Sequence, residues 1–373
     1  MRGEGFNWPT GLFVIAYHTA LCVMLPLYFY FYSPSWQMIT ISIILYFLTG
    51  LSITAGYHRL FSHNAYKAHP AVEGIIVFFG SMATQGSVLR WAFEHRIHHA
   101  FVDTDKDPYS IKKGFLYAHM LWLFRKPEPI DTKVVSDLVK KPLLVLQHEY
   151  YTLSMIASNV LMFFFVGWLL NDYVGAFVLS WWTRLFFLHH STWFINSLAH
   201  TWGSRSFSQE QSAVDNYIIS LLTFGEGYHN YHHTYAHDYR NGIRWYHFDP
   251  TKWLIWALHF FGLAKSLRSV DKYHLKEQMI LYRKNELLQW LQNSLHARKE
   301  ELAHTVSAMS NDALEKIAQL RHSLDHYRTS KKESDATTLQ SIGKEIRSLE
   351  KCVNEDYKRF FSLSKTIMKM EPS

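Results

Sequence analysis

Two apolar runs placed back to back, 11–32 and 37–57, constrain this chain more than any other feature. Each is long enough to cross a hydrocarbon core of roughly 30 Å. Only residues 33–36 separate them, with Ser33-Pro34-Ser35 as a short turn. The first run does not read as a cleavable leader: no small-residue cleavage site follows it, and the second run begins at once. Backbone in lipid must satisfy its own hydrogen bonds, which leaves helices for segments like these. Runs 151–170 and 174–195 repeat the pattern across a turn at Asn171-Asp172. The expectation is an all-α membrane protein with four transmembrane helices. Arg184 falls inside the fourth run. Either it faces a protein-buried or water-lined interior, or it lies nearer an end and snorkels.

Lysine and arginine set the orientation. The turns at 33–36 and 171–173 contain neither, whereas 58–150 and everything beyond 200 are rich in both. The positive-inside rule puts those segments, and both termini, on the cytosolic side. Residues 71–82 are apolar but short for a span, and read as a buried or interfacial helix in a cytosolic helical cap. Residues 253–263 read as grazing the membrane surface. The net charge of +7 suits a basic membrane-facing surface and a polyanionic substrate better than nucleic acid. Composition divides the chain into an embedded domain, 1–265, and a polar tail, 266–373. In the tail, Leu314, Ile317, Leu320 and Leu324, then Leu339, Ile342, Ile346, Leu349 and Val353, step by three and four. That spacing predicts amphipathic helices packing on each other or on a second copy. Docking of a redox partner is the alternative.

Histidines stand at ligand spacing three times: His58-Arg-Leu-Phe-Ser-His63, His95-Arg-Ile-His98-His99 and His229-Asn-Tyr-His232-His233. A single histidine on an apolar face is usually a satisfied core residue. Three clusters, two of them with one spacing, shift the balance toward metal. Imidazole is the commonest protein ligand for iron, zinc and copper, and with only Cys22 and Cys352 no thiolate site competes. Positions i, i+3 and i+4 share a helix face, so each HxxHH set is expected to aim at one point. His58 and His63 lie about 140° apart on a regular helix. The helix is expected to end near them, letting the rings reach different sides of a shared site. A His-rich metal transporter is the non-enzymatic alternative, but such proteins keep ionisable groups near the midplane of their spans.

Around these clusters stand Thr54-Ala-Gly-Tyr-His-Arg-Leu, Asp103-Thr-Asp-Lys-Asp-Pro, Asn196-Ser-Leu-Ala-His200 and Gly225-Glu-Gly-Tyr-His-Asn-Tyr-His-His. Their identity and order resemble the membrane fatty-acyl desaturases, most closely the acyl-CoA Δ9 (stearoyl-CoA type) branch, over residues 10–265. The resemblance implies nine histidines holding two irons: His58, His63, His95, His98, His99, His200, His229, His232 and His233, with Asn196 holding a metal-bound water. It implies O2-dependent insertion of a cis double bond at C9–C10 of a saturated C16 or C18 acyl-CoA, with O2 as co-substrate and no catalytic side chain beyond the ligands. Zinc takes such sites readily, so the metal in a purified sample does not identify the working one. His18, His69, His119, His189, His190 and His237 match nothing in the family pattern and read as structural, His190 being the most open to another role.

The same resemblance implies that Gln85, Trp91, Thr192 and Trp193 line and kink the acyl chain. Tyr46 matches the residue that closes the tunnel, about 18 Å deeper than His58. Gly50 matches a position where bulk shortens the tunnel, although glycine there equally permits close helix packing. Coenzyme A is expected to meet Arg125, Lys126 and Glu94, with Lys112 and Lys113 adding to the field; the four cations equally suit anionic lipid. Some relatives carry a fused cytochrome b5 with a His-Pro-Gly-Gly type motif. Here the only His-Pro is His69-Pro70, followed by Ala71, so the chain is expected to bind no haem. It would take electrons from a separate cytochrome b5 or ferredoxin-type carrier with its reductase. Hydroxylation, desaturation at another position, and a lipid- or carrier-linked acyl substrate are the alternatives on this scaffold. The membrane would be the endoplasmic reticulum in a eukaryote and the cytoplasmic membrane in a bacterium.

Overall fold

The structure, a computed structural model, describes residues 3–294, 296–331 and 336–370. It divides into two compact units. One runs to Ser269 without Ser206–Ser208; the other is Val270–Ser373 with Ser206–Ser208.

In the first unit, α1 (Trp8–Phe31) opens with Pro9, whose missing N–H costs nothing in a first turn. The next helix, α2 (Trp36–Leu51), is capped by Ser35, whose hydroxyl accepts from the Met38 amide, and it continues as a wider π-type helix, Ser52–Ser62. There follow α3 (Pro70–Met82), α4 (Val88–Phe101) and α5 (Tyr151–Leu170). Among the described residues three helices are long and apolar enough to cross a membrane: Trp8–Phe31, Trp36–Ser62 and Tyr151–Leu170. Their outer faces expose Ile15, Phe29, Ile43, Leu161 and Phe164, the surface expected where lipid replaces water.

The expected fourth span is helical but less apolar. It is built from Tyr173–Gly175, a π-type stretch Ala176–Thr183, and α6 (Arg184–Ser197). Arg184, His189 and His190 break its apolar character, and it falls outside the three. Arg184 does not snorkel. It is buried, and its guanidinium donates to Asn159 Oδ1 at 2.7 Å and Ser180 O at 2.8 Å, with Met82 O at 3.5 Å. Met82 ends α3. The cation therefore sits at the negative carbonyl end of a helix that is too short to cross and stops inside the bundle.

Further along come α7 (His229–Thr234) and α8 (Pro250–Phe260), with shorter helices Phe115–His119, Pro142–Glu149 and Tyr217–Leu222 between the longer ones. Two minimal sheets tie its loops, Gly3–Phe6 with Arg125–Lys126 and Lys67–Ala68 with Ala264–Lys265.

The second unit is α9 (Lys272–Asn293), α10 (Lys299–Ser330) and α11 (Ala336–Ile367) packed on one core. Ile317, Leu320 and Val353 are buried in it, as their spacing predicts. The first of the three helices was not anticipated. Its signal was there in Tyr273, Ile280 and Leu287, a seven-residue repeat.

Candidate metal centre

Three local structures present the histidines. The π-type segment bonds each amide to the carbonyl five residues back, and the His63 amide donates to His58 O at 3.1 Å. Residues five apart therefore stack one turn apart, and the His58 and His63 rings lie 4.9 Å centroid to centroid. The helix does end at this point, but its widening is what places both rings on one face. His95, His98 and His99 come from α4, and His229, His232 and His233 from α7. His200 ends the short turn after α6.

The nine side chains gather as two groups. His58, His63, His95, His99 and His232 form one, and His98, His200, His229 and His233 the other; within each, one ligating atom per residue lies within 4.8 Å of the rest. Neither HxxHH set aims at a single point. On a helix, i and i+4 diverge by about 40°, whereas i+3 and i+4 diverge by about 100°. Each helix lies between the two groups, giving its i, i+4 pair to one and its third histidine to the other. The first takes the α4 pair with His232, the second the α7 pair with His98.

The inward atoms are Nε2. His63 and His95 approach to 2.8 Å, His58 and His232 to 2.9 Å, His99 and His232 to 3.1 Å. In the other group His229 Nε2 lies 3.1 Å from His200 and 3.0 Å from His233. Three of the outward atoms meet acceptors, whereas Nδ1 of His229 and of His232 meets none among the described residues. His58 Nδ1 is 2.9 Å from Glu226 Oε2, and His98 Nδ1 is 2.9 Å from Asp107 Oδ1. His200 Nδ1 is 2.7 Å from Ser212 Oγ, and that hydroxyl donates to Asp103 Oδ1 at 2.6 Å. A carboxylate accepts only, so the ring proton sits on Nδ1 and the Nε2 lone pair faces inward. Lone pairs converging on one spot repel unless a cation lies between them. The donor set thus fits a pair of metal ions, five imidazoles around one and four around the other.

Burial first, and then the neighbouring imidazoles, push His95, His99, His229, His232 and His233 well below the ordinary value. Burial likewise lowers His200 to about 3. All are neutral at pH 7, the form that binds metal. Burial alone would raise Glu226, but Arg59 and His58 outweigh it and hold it low. Arg59 Nη2 donates to Glu226 at 2.8 Å and to Asp249 at 3.0 Å, with all three side chains buried.

A cavity of about 470 Å³ reaches both groups, touching His58 and His95 of one and His98 and His229 of the other. Gln85, Trp91, Glu94, Thr192, Trp193 and Asn196 are on its wall. Other expected substrate residues are elsewhere. Tyr46 hydrogen-bonds Ser191 Oγ at 2.8 Å and packs on Phe224. Gly50 lies against the same ring: a Cβ there would come within 2.2 Å of Phe224 Cζ, a close approach that glycine permits. Lys112, Lys113, Arg125 and Lys126 are exposed and are not on the cavity wall. Glu226, Asp107 and Asp103, within quoted motifs but unassigned, orient ligands; Asp249 and Ser212 carried no signal in the sequence.

Residues 34–264 match the family model described as fatty acid desaturase. A probable acyl-CoA desaturase of Schizosaccharomyces pombe is 41% identical over 273 residues, 72% of this chain and 57% of that protein. Acyl-CoA desaturase 1 of Saccharomyces cerevisiae is 37% identical over 273 residues, 72% of this chain and 52% of its own. An sn-2 palmitoyl-lipid 9-desaturase of Nostoc is 37% identical over 270 residues, 70% of this chain and 90% of that protein. The chain thus spans little more than half the length of the two yeast proteins.

Proposed function

The chain belongs to the fatty acid desaturase family, and from that premise we propose that it is an integral-membrane oxidoreductase that desaturates a saturated C16 or C18 acyl-CoA at C9–C10. The observation that carries this is two imidazole groups at the wall of one cavity, with Trp91, Thr192 and Trp193 beside them. His58, His63, His95, His99 and His232 would hold one iron; His98, His200, His229 and His233, with Asn196 through water, the other. When bound, such a pair supplies the oxidising power, drawn from O2 and two electrons, that removal of hydrogen from an unactivated methylene pair demands.

The chain's own residues bind, orient and exclude. Glu226 and Asp107 keep the His58 and His98 rings in one tautomer and one orientation. Trp91, Thr192 and Trp193 shape the wall along which the acyl chain lies, and Gln85 donates to Thr192 Oγ1 at 2.9 Å. That bond fixes two wall residues to each other. The largely apolar wall keeps water from the reacting carbons. Glu94 on the wall, with Lys112, Lys113, Arg125 and Lys126 outside it, would meet the head group. Four spans, cytosolic termini and a cap holding the site complete the reading, with electrons from an external cytochrome b5 or ferredoxin-type donor.

A second reading has a specific support. One relative is named for a lipid-linked acyl substrate, and the four cations stand off the cavity wall. A lipid-linked chain would enter from the membrane and need no coenzyme A contact. Expression in an unsaturated-fatty-acid auxotroph, with fatty-acid profiling, tests the activity, and His95→Ala should abolish rescue while the protein still inserts. Rescue by that variant would remove the diiron assignment. Purified protein supplied in parallel with stearoyl-CoA and with stearoyl phospholipid decides the carrier. Loss of deuterium from C9 and C10 decides the position, and an alcohol product rejects desaturation.

A further inference from the structure

Four histidines outside the metal centre surround one cavity residue. Trp193 is 5% exposed and contributes to the cavity wall. His189 stacks on it at 5.2 Å, His18 stacks at 6.1 Å, and His190 and His119 meet it edge-on at 5.1 and 5.8 Å. These rings come from three separate elements: His18 from α1, His119 from the short helix Phe115–His119, and His189 and His190 from α6.

Hydrogen bonds join them into two chains. In the longer one, His18 Nδ1 donates to Val14 O at 2.7 Å, and His18 Nε2 lies 3.2 Å from His190 Nε2. His190 Nδ1 lies 3.0 Å from His119 Nε2, and His119 Nδ1 is 3.0 Å from Ser197 Oγ. Because Val14 O can only accept, neutral rings order the rest: His190 donates to His18, and His119 donates to His190. In the shorter chain His189 bridges Tyr17 OH at 2.9 Å and Ala83 O at 3.1 Å. Ala83 begins the turn that leads to Gln85 and Gly86 on the cavity wall.

The three histidines of the longer chain cannot share a metal ion, because His190 turns a different nitrogen to each neighbour. What they can do is fix a distance. Apolar side chains around a tryptophan slide and repack at small cost, whereas a hydrogen-bonded chain, here of one buried and two half-buried rings, holds one arrangement. We infer that the chain His18–His190–His119, with His189 beside it, is a specificity device: it locks the Trp193 indole against the acyl chain and so sets which chain lengths bind productively. These are positioning residues, with His190 the central link. The inference rests on the acyl-desaturase reading above.

The test compares wild type, His190→Leu, Trp193→Phe and the double variant on C14, C16 and C18 acyl substrates, with iron measured in each preparation. Expected for His190→Leu is an unchanged iron content, a several-fold rise in KM with a smaller change in kcat, and a flattened preference among chain lengths. Trp193→Phe should shift the preference too, and the double variant should go no further than the larger single effect, as coupling through one residue requires. Should His190→Leu fail to accumulate, His18→Leu breaks the same chain at its half-buried end and replaces it in the comparison. Wild-type preference retained in the histidine variant, or effects that multiply in the double variant, would overturn the inference. A wild-type protein with iron but no unsaturated product would instead overturn the functional reading.

Discussion

Replacing Asp107 by Asn should empty one metal site and spare the other. Asp107 Oδ1 accepts from His98 Nδ1 at 2.9 Å, and its oxygens also receive the amides of Tyr109 at 3.1 Å and Asp103 at 3.2 Å. Through Asp103 the same loop reaches Ser212, and through Ser212 it reaches His200. Two of the four ligands in the second group thus depend on this loop. Of the five in the first group only His95 touches it, its Nδ1 lying 3.3 Å from Tyr109 OH; the carboxylate there is Glu226. Asparagine can accept through only one of its two terminal atoms, so its amide nitrogen faces either the Asp103 amide or both His98 Nδ1 and the Tyr109 amide, donor against donor. Loss of an orienting partner costs roughly 10–100-fold in metal affinity, or about 1.4–2.7 kcal/mol. The assay is equilibrium dialysis of detergent-solubilised protein against a graded chelator, with iron counted per chain. Wild type should lose two ions over one range. Asp107→Asn should lose the first ion at roughly 10–100-fold lower chelator strength and keep the second near the wild-type range, giving a plateau near one. Glu226→Gln, perturbing the other group, supplies the opposite case. Parallel loss of both ions, or two ions held as in wild type, would refute the assignment of this loop to one site.

Other consequences are as direct. Gly50→Ala puts a methyl group onto Phe224; if packing is what the glycine serves, thermal unfolding should show a loss of about 1–3 kcal/mol with product chain length unchanged, whereas a wild-type melting curve with shortened products would assign Gly50 to the tunnel. Asn159→Leu leaves the buried Arg184 guanidinium short of its nearest side-chain acceptor. It should destabilise by roughly 1.5–3 kcal/mol, read from denaturation in detergent, and a neutral result would mean that the backbone carbonyls suffice. In the metal-free protein His95, His99, His200, His229, His232 and His233 lie below the ordinary value of 6.5, chiefly through burial. Unfolded, they bind protons that the folded site refuses. Stability is therefore unaffected above about pH 6.5 and falls as pH drops below it, as linkage requires. Apoprotein that grows more stable on mild acidification would contradict buried, neutral histidines.

Much of this is legible in the amino-acid sequence. Apolar length alone identified α1, α2 and α5 as spans, because a backbone in lipid has so few options. Ligand chemistry and repetition picked out eight of the nine histidines that gather, and the family resemblance added His200. Periodicity found most of the tail core. Tertiary structure decided how the ligands are shared: spacing says which side chains lie on one face, but whether a helix lies beside a site or between two depends on what packs around it. A π-type turn also replaced the expected helix end alone, since the i→i+5 bond between His63 and His58 leaves no mark in composition. Arg184 was ambiguous for the same reason, its acceptors Asn159 and Met82 being distant in sequence. Asp249 and Ser212 were invisible: a carboxylate or hydroxyl gains its role only when folding brings Arg59 or His200 beside it, and no local pattern records a partner so far along the chain.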